Sequence, residues 1–477
     1  MKNYKIIVFL MSLCFLCFKY NYAQDSSFTN VPLNDLSAFK EPVKNWQIAS
    51  SVSSDIQKPM DMKASNGTGI LLSTSNNSTI ITSQTFDDVE LDFDFMLSKD
   101  ADAIVFMQGR YGIKLTDSWT KVAPQFSDMG GIPPFSDSSN KKHFGIAPLV
   151  NVSKAPGLWQ HIKIKFRSPK FQDGVKVQNS RFDEVYLNGV LIQVQTDIAG
   201  PTEAAPFNDE TDLGPIILEA IKGGIAFRNI GYRDLPPPSN EIPASSKNRR
   251  DAYKTRVINP IIIAPEKQPY LLRSFLNFDN VKRTHVISVG FPNQINYSYD
   301  LKQGALLQVW RGKYLDVTNM WESRGEPQLA KPLGSVVPLS AKPALSVQEN
   351  ENSTWPSSIE FDDFHNEGYT LDGDKVPTFL YTLDGVKVKD KISARSDGEG
   401  IVREISVTET PANYYCRIAS GKTIENLSNG LYAVAGQEYY IEITKKYKPL
   451  IRKTKTGQEL IVPLGNNESL LNYSIIF

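Results

Sequence analysis

The sequence predicts an all-β protein with two sandwich-rich domains. Short runs alternate apolar and polar residues with period two, Gly 30 and Pro 29 punctuate them with turn signals, and long amphipathic helical patterns are scarce. At 477 residues the chain is too long for one typical domain, while 41% hydrophobic and 22% charged residues place it in the ordinary globular range. Lys+Arg and Asp+Glu both number 52, so no net field draws in nucleic acid, and a neutral partner fits best.

The elements follow in order. Lys2 and Lys5 precede an apolar run over 6–18, and Ala23-Gln24 is a cleavage point. Residues 1–23 therefore read as a signal peptide, and the protein as exported, periplasmic or secreted. The run, of about 13 residues, falls short of the roughly 20 that span a bilayer, so no transmembrane span is expected after cleavage. Cys14 and Cys17 lie inside it, each preceded by Leu rather than the small residue a lipoprotein site needs. After cleavage only Cys416 remains, which excludes an internal disulfide or a thiolate metal cluster. Alternation in VELDFDFML over 89–97 and onward through 104–115 predicts antiparallel strands with one wet face. Residues 161–166 and 181–194 repeat it, the latter turning through Asn188-Gly189, and 216–218 with 225–230 complete a first domain over 28–235. The Pro-rich string PPPSNEIPASSKNRR then marks a linker over 236–248. Strand signals return at 284–291, 305–317 and 377–388, the last with an Asp384-Gly385 turn, so 249–477 reads as a second β domain. Between 322 and 364 periodicity fades, which fits a functional loop or an extended cover over a sheet.

The strings GRYGIKLTDSW (109–119), GGIPPF (130–135), APLVNVSKAPGLWQHIKIKFRSPKF (147–171), RFDEVYLNGVLIQ (181–193) and GPIILEAIKGGIAFRNI (214–230) resemble the 3-keto-disaccharide hydrolase family in order and spacing. The resemblance implies a concanavalin-like jelly roll over about 28–235 and action on sugars oxidised at carbon 3. Where many members have Tyr-Glu-x-Gln, this chain has Tyr111, Gly112, Ile113 and Lys114, and a histidine expected near 221 or 222 is missing. Two readings follow: an enzyme cleaving 3-keto-glycosides by hydrolysis or elimination, and a non-catalytic carbohydrate-binding or adhesion protein on the same fold. The second domain resembles, in VGFPNQINYSYDL and PLGS, large exported cytochrome-linked sugar-catabolic proteins, yet no Cys-x-x-Cys-His occurs, which excludes c-type haem.

Cleavage beside a 3-keto group needs a base, an acid, and a cation near the ketone oxygen, a post a divalent metal can also fill. Strand parity puts Arg110, Gly112 and Lys114 on one face and Tyr111, Ile113 and Leu115 on the other, which is core. The missing side chain at Gly112 leaves room for a ligand to approach the sheet. The candidate catalytic groups are Asp117, Glu219 and Lys114; Arg110, Trp119, His143 and Arg228 are candidates to hold the sugar. Bland counterparts stand beside these: Asp117 capping a turn, Glu219 pairing with Arg228, and His143 solvated in its loop; His161, outside the candidate set, is expected to pack. In the second domain, Trp310, Arg311, Asp316 and the 321–324 cluster suit sugar contacts and packing equally. No G-x-S-x-G elbow, H-E-x-x-H or P-loop is present.

Overall fold

A computed structural model describes residues 27–237, 259–322, 328–350, 352–465 and 467–477. The expected leader, nearly all of the expected linker, and Ser323 and Arg324 of the 321–324 cluster lie outside the described residues. Strands dominate; the α-helix found among the described residues is the single turn Thr318–Trp321. No helix there is long and apolar enough to cross a membrane.

Residues 29–234 build two main antiparallel sheets, with two small two-stranded ribbons beside them. The larger runs Val190–Ile198, Ser180–Leu187, Gln160–Arg167, Val89–Leu97, Ile225–Asp234, Lys63–Ser73, Gln47–Ser53, with Thr29–Asn30 added beside Ile225–Asp234. The smaller runs Ser78–Phe86, Gly214–Lys222, Asp102–Met107, Tyr111–Thr116. Strands close in sequence repeatedly fall in different sheets: Val89–Leu97 in the large one is followed by Asp102–Met107 in the small one. That crossing makes a jelly-roll sandwich. The corners are specific. Gly223, at φ 74°, has Ala101 and Ser98 packed where a Cβ would stand, and Ser98 Oγ accepts from the Gly224 N–H at 2.9 Å. The Asn188-Gly189 hairpin forms as expected, both residues at positive φ.

Alternation sets the core. Leu91, Phe93, Phe95 and Leu97 point inward and meet Tyr111, Ile113 and Leu115 from the small sheet, so the odd-numbered face is core as parity required. Fully burying such side chains contributes about 1.5–3 kcal/mol each. The room anticipated above Gly112 is not open, because Ile104 and Phe106 side chains already fill it.

From residue 262 onward, sheets of six, four and eight strands enclose one large core. Part of the aperiodic 322–364 stretch is a strand, Lys331–Pro338, paired along Ala305–Asp316; its prolines and glycine hid the period. Trp310 and Arg311 are buried, so in this pair packing wins over ligand contact. Ile56, Trp119, Ala155 and Leu158 of the first domain form one apolar cluster with Leu431, Ala433, Tyr440 and Ile476 of the second. Hydrogen bonds cross the same seam: Tyr440 Oη donates to Pro156 O at 2.9 Å, and Gln437 Nε2 to Val52 O at 3.0 Å.

Candidate functional site

The outer face of the small sheet gathers three charged groups. Lys114 and Glu219 are both in register with Ile104, which lies between them, so the two share one face across neighbouring strands. The Lys114 ammonium stands 2.5 Å from the Asp102 carboxylate on the intervening strand. Burial pushes the Glu219 carboxyl above its ordinary range; Lys114 pulls it down and Asp102 pushes it up, and the net direction is upward. An acid raised this way carries its proton closer to neutral pH, as a general acid or base requires. Asp102 was not singled out in the sequence, because its place beside Lys114 depends on hairpin register.

The remaining predicted residues do not converge on this group. Asp117 closes the Tyr111–Thr116 strand, where its Oδ2 accepts from the Asp100 N–H at 2.8 Å. Burial raises its carboxyl, an effect the Asp100 N–H only partly offsets, and its described role is to hold a turn. Arg110 is buried and saturated: Nη2 donates to Asp209 Oδ1 at 2.7 Å, Nη1 to Gln108 O at 2.6 Å, and the guanidinium sits over Phe207. It pins the 203–213 loop across the sheet and has no fork left for a sugar. Trp119 is only 6% exposed, sealed into the domain seam under Arg311, so its ring is not offered to a ligand. His143 stacks on Phe135 with ring centroids 4.9 Å apart and bonds Asp137 at 3.0 Å. Hydrogen bonds from Ser139 and His143 hold the Asp137 carboxyl well below its usual range.

Arg228 lies on the opposite side of the sandwich. The glycine corner at 223–224 carries the chain from the small sheet to the large one, so Glu219 and Arg228 do not pair. Arg228 instead covers the Trp159 ring at 3.9 Å and donates from Nε to Asp94 at 3.1 Å. His161 is not packed away: it bonds Asp94 at 3.0 Å and stands 3.4 Å from Asp92 on this polar face. Burial pushes Asp94 up, but His161, Asn229 and Arg228 outweigh it and hold the carboxyl below its usual range. Among the described residues no group of three or more His, Cys, Asp or Glu is arranged to hold a metal ion.

Two stacked antiparallel sheets define a jelly-roll domain, and on the small sheet's outer face the charged groups stand beside an apolar cluster of Ile104, Phe106 and Ile217. Residues 34–233 match the family model of the 3-keto-alpha-glucoside-1,2-lyase-like domain, so this first unit is similar to that family's domain. Among solved structures, a candidate glycosyl hydrolase from Parabacteroides distasonis ATCC 8503 is 24% identical, with a TM-score of 0.32, covering 43% of this chain and 84% of its own. The carbohydrate binding module CBM66 from Bacillus subtilis is 12% identical, with a TM-score of 0.24, over 41% of this chain and 99% of its own. The binding domain of botulinum neurotoxin serotype D is 10% identical, with a TM-score of 0.25, over 94% of this chain and 97% of its own. No curated protein matches the chain in sequence.

Proposed function

We propose that this carbohydrate-active protein is an exported enzyme that cleaves 3-keto-glycosides on the outer face of the small sheet. The observation that carries the reading is the raised Glu219 carboxyl beside the Lys114 ammonium. A ketone at carbon 3 acidifies the proton on carbon 2. Glu219, ionised, takes that proton; the C2–H electron pair becomes the C1–C2 double bond, the C1–O bond breaks, and the aglycone leaves with a proton from solvent. Lys114 supplies positive charge for the developing enolate oxygen, which in water-poor surroundings stabilises the transition state more than the ground state. Addition of water to the product would give net hydrolysis. A divalent metal does not fit well here, because the ammonium already occupies the Asp102 carboxylate. Asp102 is a positioning residue for Lys114.

The test is release of aglycone from a chromogenic 3-keto-glucoside by the mature protein. Turnover that disappears in Glu219→Gln supports the reading; an inert wild-type protein across pH 5 to 9 sinks it. One observation favours the binding-only alternative: Lys114 is committed to Asp102, and Arg110 to Asp209. Saturable sugar binding without turnover would select that alternative.

A further inference from the structure

On the far side of the sandwich from Glu219, the two domains line an open cleft of about 370 Å³. Its first-domain wall includes Lys63, Ser65 and Arg228; its second-domain wall includes Thr423, Glu425 and Gln437. The size falls within the range of about 300–1,000 Å³ usual for small-molecule sites. The walls are held in fixed relation. Trp159 N–H donates to Gln437 O at 3.2 Å, Lys154 pairs with Glu438 at 3.6 Å, and the apolar seam lies alongside.

The lining has a definite chemistry. Arg228 is pre-set by the Trp159 face beneath it and by Asp94 at its Nε, while its Nη1 and Nη2 carry no described hydrogen bond. Those N–H groups keep their direction without a ligand, so little entropy is lost in using them. Serine and threonine hydroxyls and the Gln437 amide add donors and acceptors on both sides. Arg228 is paired with Asp94, and the lining adds one further cation, Lys63, and one anion, Glu425, so the formal charges balance. A lipid would leave these groups unpaired, and an anion would meet Glu425.

We propose that this cleft is a carbohydrate-binding site built jointly by the two domains, separate from the Glu219 face, and that it takes a neutral oligosaccharide of two to three rings. It would hold a glycan while another part of the molecule meets the first domain's opposite face. Neither domain completes the site alone, because Arg228 and Glu425 belong to different ones.

The experiment titrates the full chain with maltotriose, cellotriose and laminaritriose at millimolar concentration by calorimetry. Two variants fill the cleft from exposed positions on opposite walls, Ser51→Trp and Thr423→Trp, with an unchanged thermal transition establishing that each is folded. Binding of at least one trisaccharide, lost in both filled variants and retained in Glu219→Gln, is expected. Binding retained in Glu219→Gln while its turnover is absent distinguishes this site from the proposed catalytic face. No binding of any of the three, or binding that survives either filled variant, would overturn the proposal.

Discussion

The guanidinium of Arg311 lies 5.2 Å from the centre of the Trp119 ring, and the two residues come from different domains. Arg311 is also within 5.9 Å of the Phe477 ring and donates to Gly398 O at 2.8 Å. Burial pulls its pKa down to about 10, which still leaves it charged at neutral pH. A cation that is desolvated is tolerated here because aromatic faces and a carbonyl replace its water. The domains are therefore coupled by packing across this seam.

Trp119→Ala removes a nearly buried ring from this seam and leaves Arg311 uncovered. It should cost about 3–5 kcal/mol, as other large aromatic truncations do. Urea unfolding followed by tryptophan fluorescence and far-UV circular dichroism measures it. Residues 27–237 expressed alone expose Ile56, Ala155 and Leu158 and should self-associate at micromolar concentration. A monodisperse, fully folded fragment would show that the seam contributes little.

Trp119 also marks where sequence reading stops. Parity along Tyr111–Thr116 identified the core face correctly, because period two depends only on neighbours in the chain. The Asn188-Gly189 turn was legible for the same reason. A tryptophan two residues after Asp117 looks like a sugar plate until its partner, far along the chain, is known to be Arg311. Arg228 was grouped with Glu219 because their strands are almost contiguous. The Gly223-Gly224 corner sends them to opposite faces, and glycine spacing does not announce which sheet comes next.

In the second domain, Asp390 accepts from Arg403 Nη2 at 2.6 Å and from Tyr299 Oη at 2.8 Å, all within the apolar core. Asp390→Ala leaves a buried guanidinium unpaired and should destabilise by about 3–5 kcal/mol. Removing both charges, Asp390→Leu with Arg403→Met, should recover most of that loss. Thermal denaturation of the single and double variants decides it, and additive losses would contradict the pairing argument.

His161 gives the first domain a pH-dependent contribution. The bond to Asp94 raises its pKa above 6.5, a gain that burial only partly opposes. Because the folded value exceeds the unfolded one, the stabilisation is complete below pH 6.5 and is lost as pH rises through the raised native value. His161→Asn should flatten the dependence of the thermal midpoint on pH in that window. Titration of the His161 ring by NMR should give a midpoint above 6.5, and a lower one would refute the assignment.

Glu219 has the opposite stability sign and the largest expected functional effect. Burial raises its folded carboxyl above 4.5, so between pH 4.5 and the native value the folded chain keeps a proton that the unfolded chain has released. The unfolded state then binds fewer protons, and stability falls as pH rises through that window. Glu219→Gln removes the titration while keeping size and hydrogen-bonding capacity. Its thermal midpoint should match wild type below pH 4.5, exceed it increasingly up to the raised native value, and stay above it by a constant margin beyond. Loss of a general base should at the same time lower turnover of a 3-keto-glucoside by about 10²–10⁴-fold. Lys114→Met should lower turnover as well, and it should raise the Glu219 pKa further by deleting the cation that opposes burial. The acidic limb of the pH–rate profile should therefore move to higher pH in Lys114→Met; a limb that stays in place would mean that Glu219 is not the group that titrates.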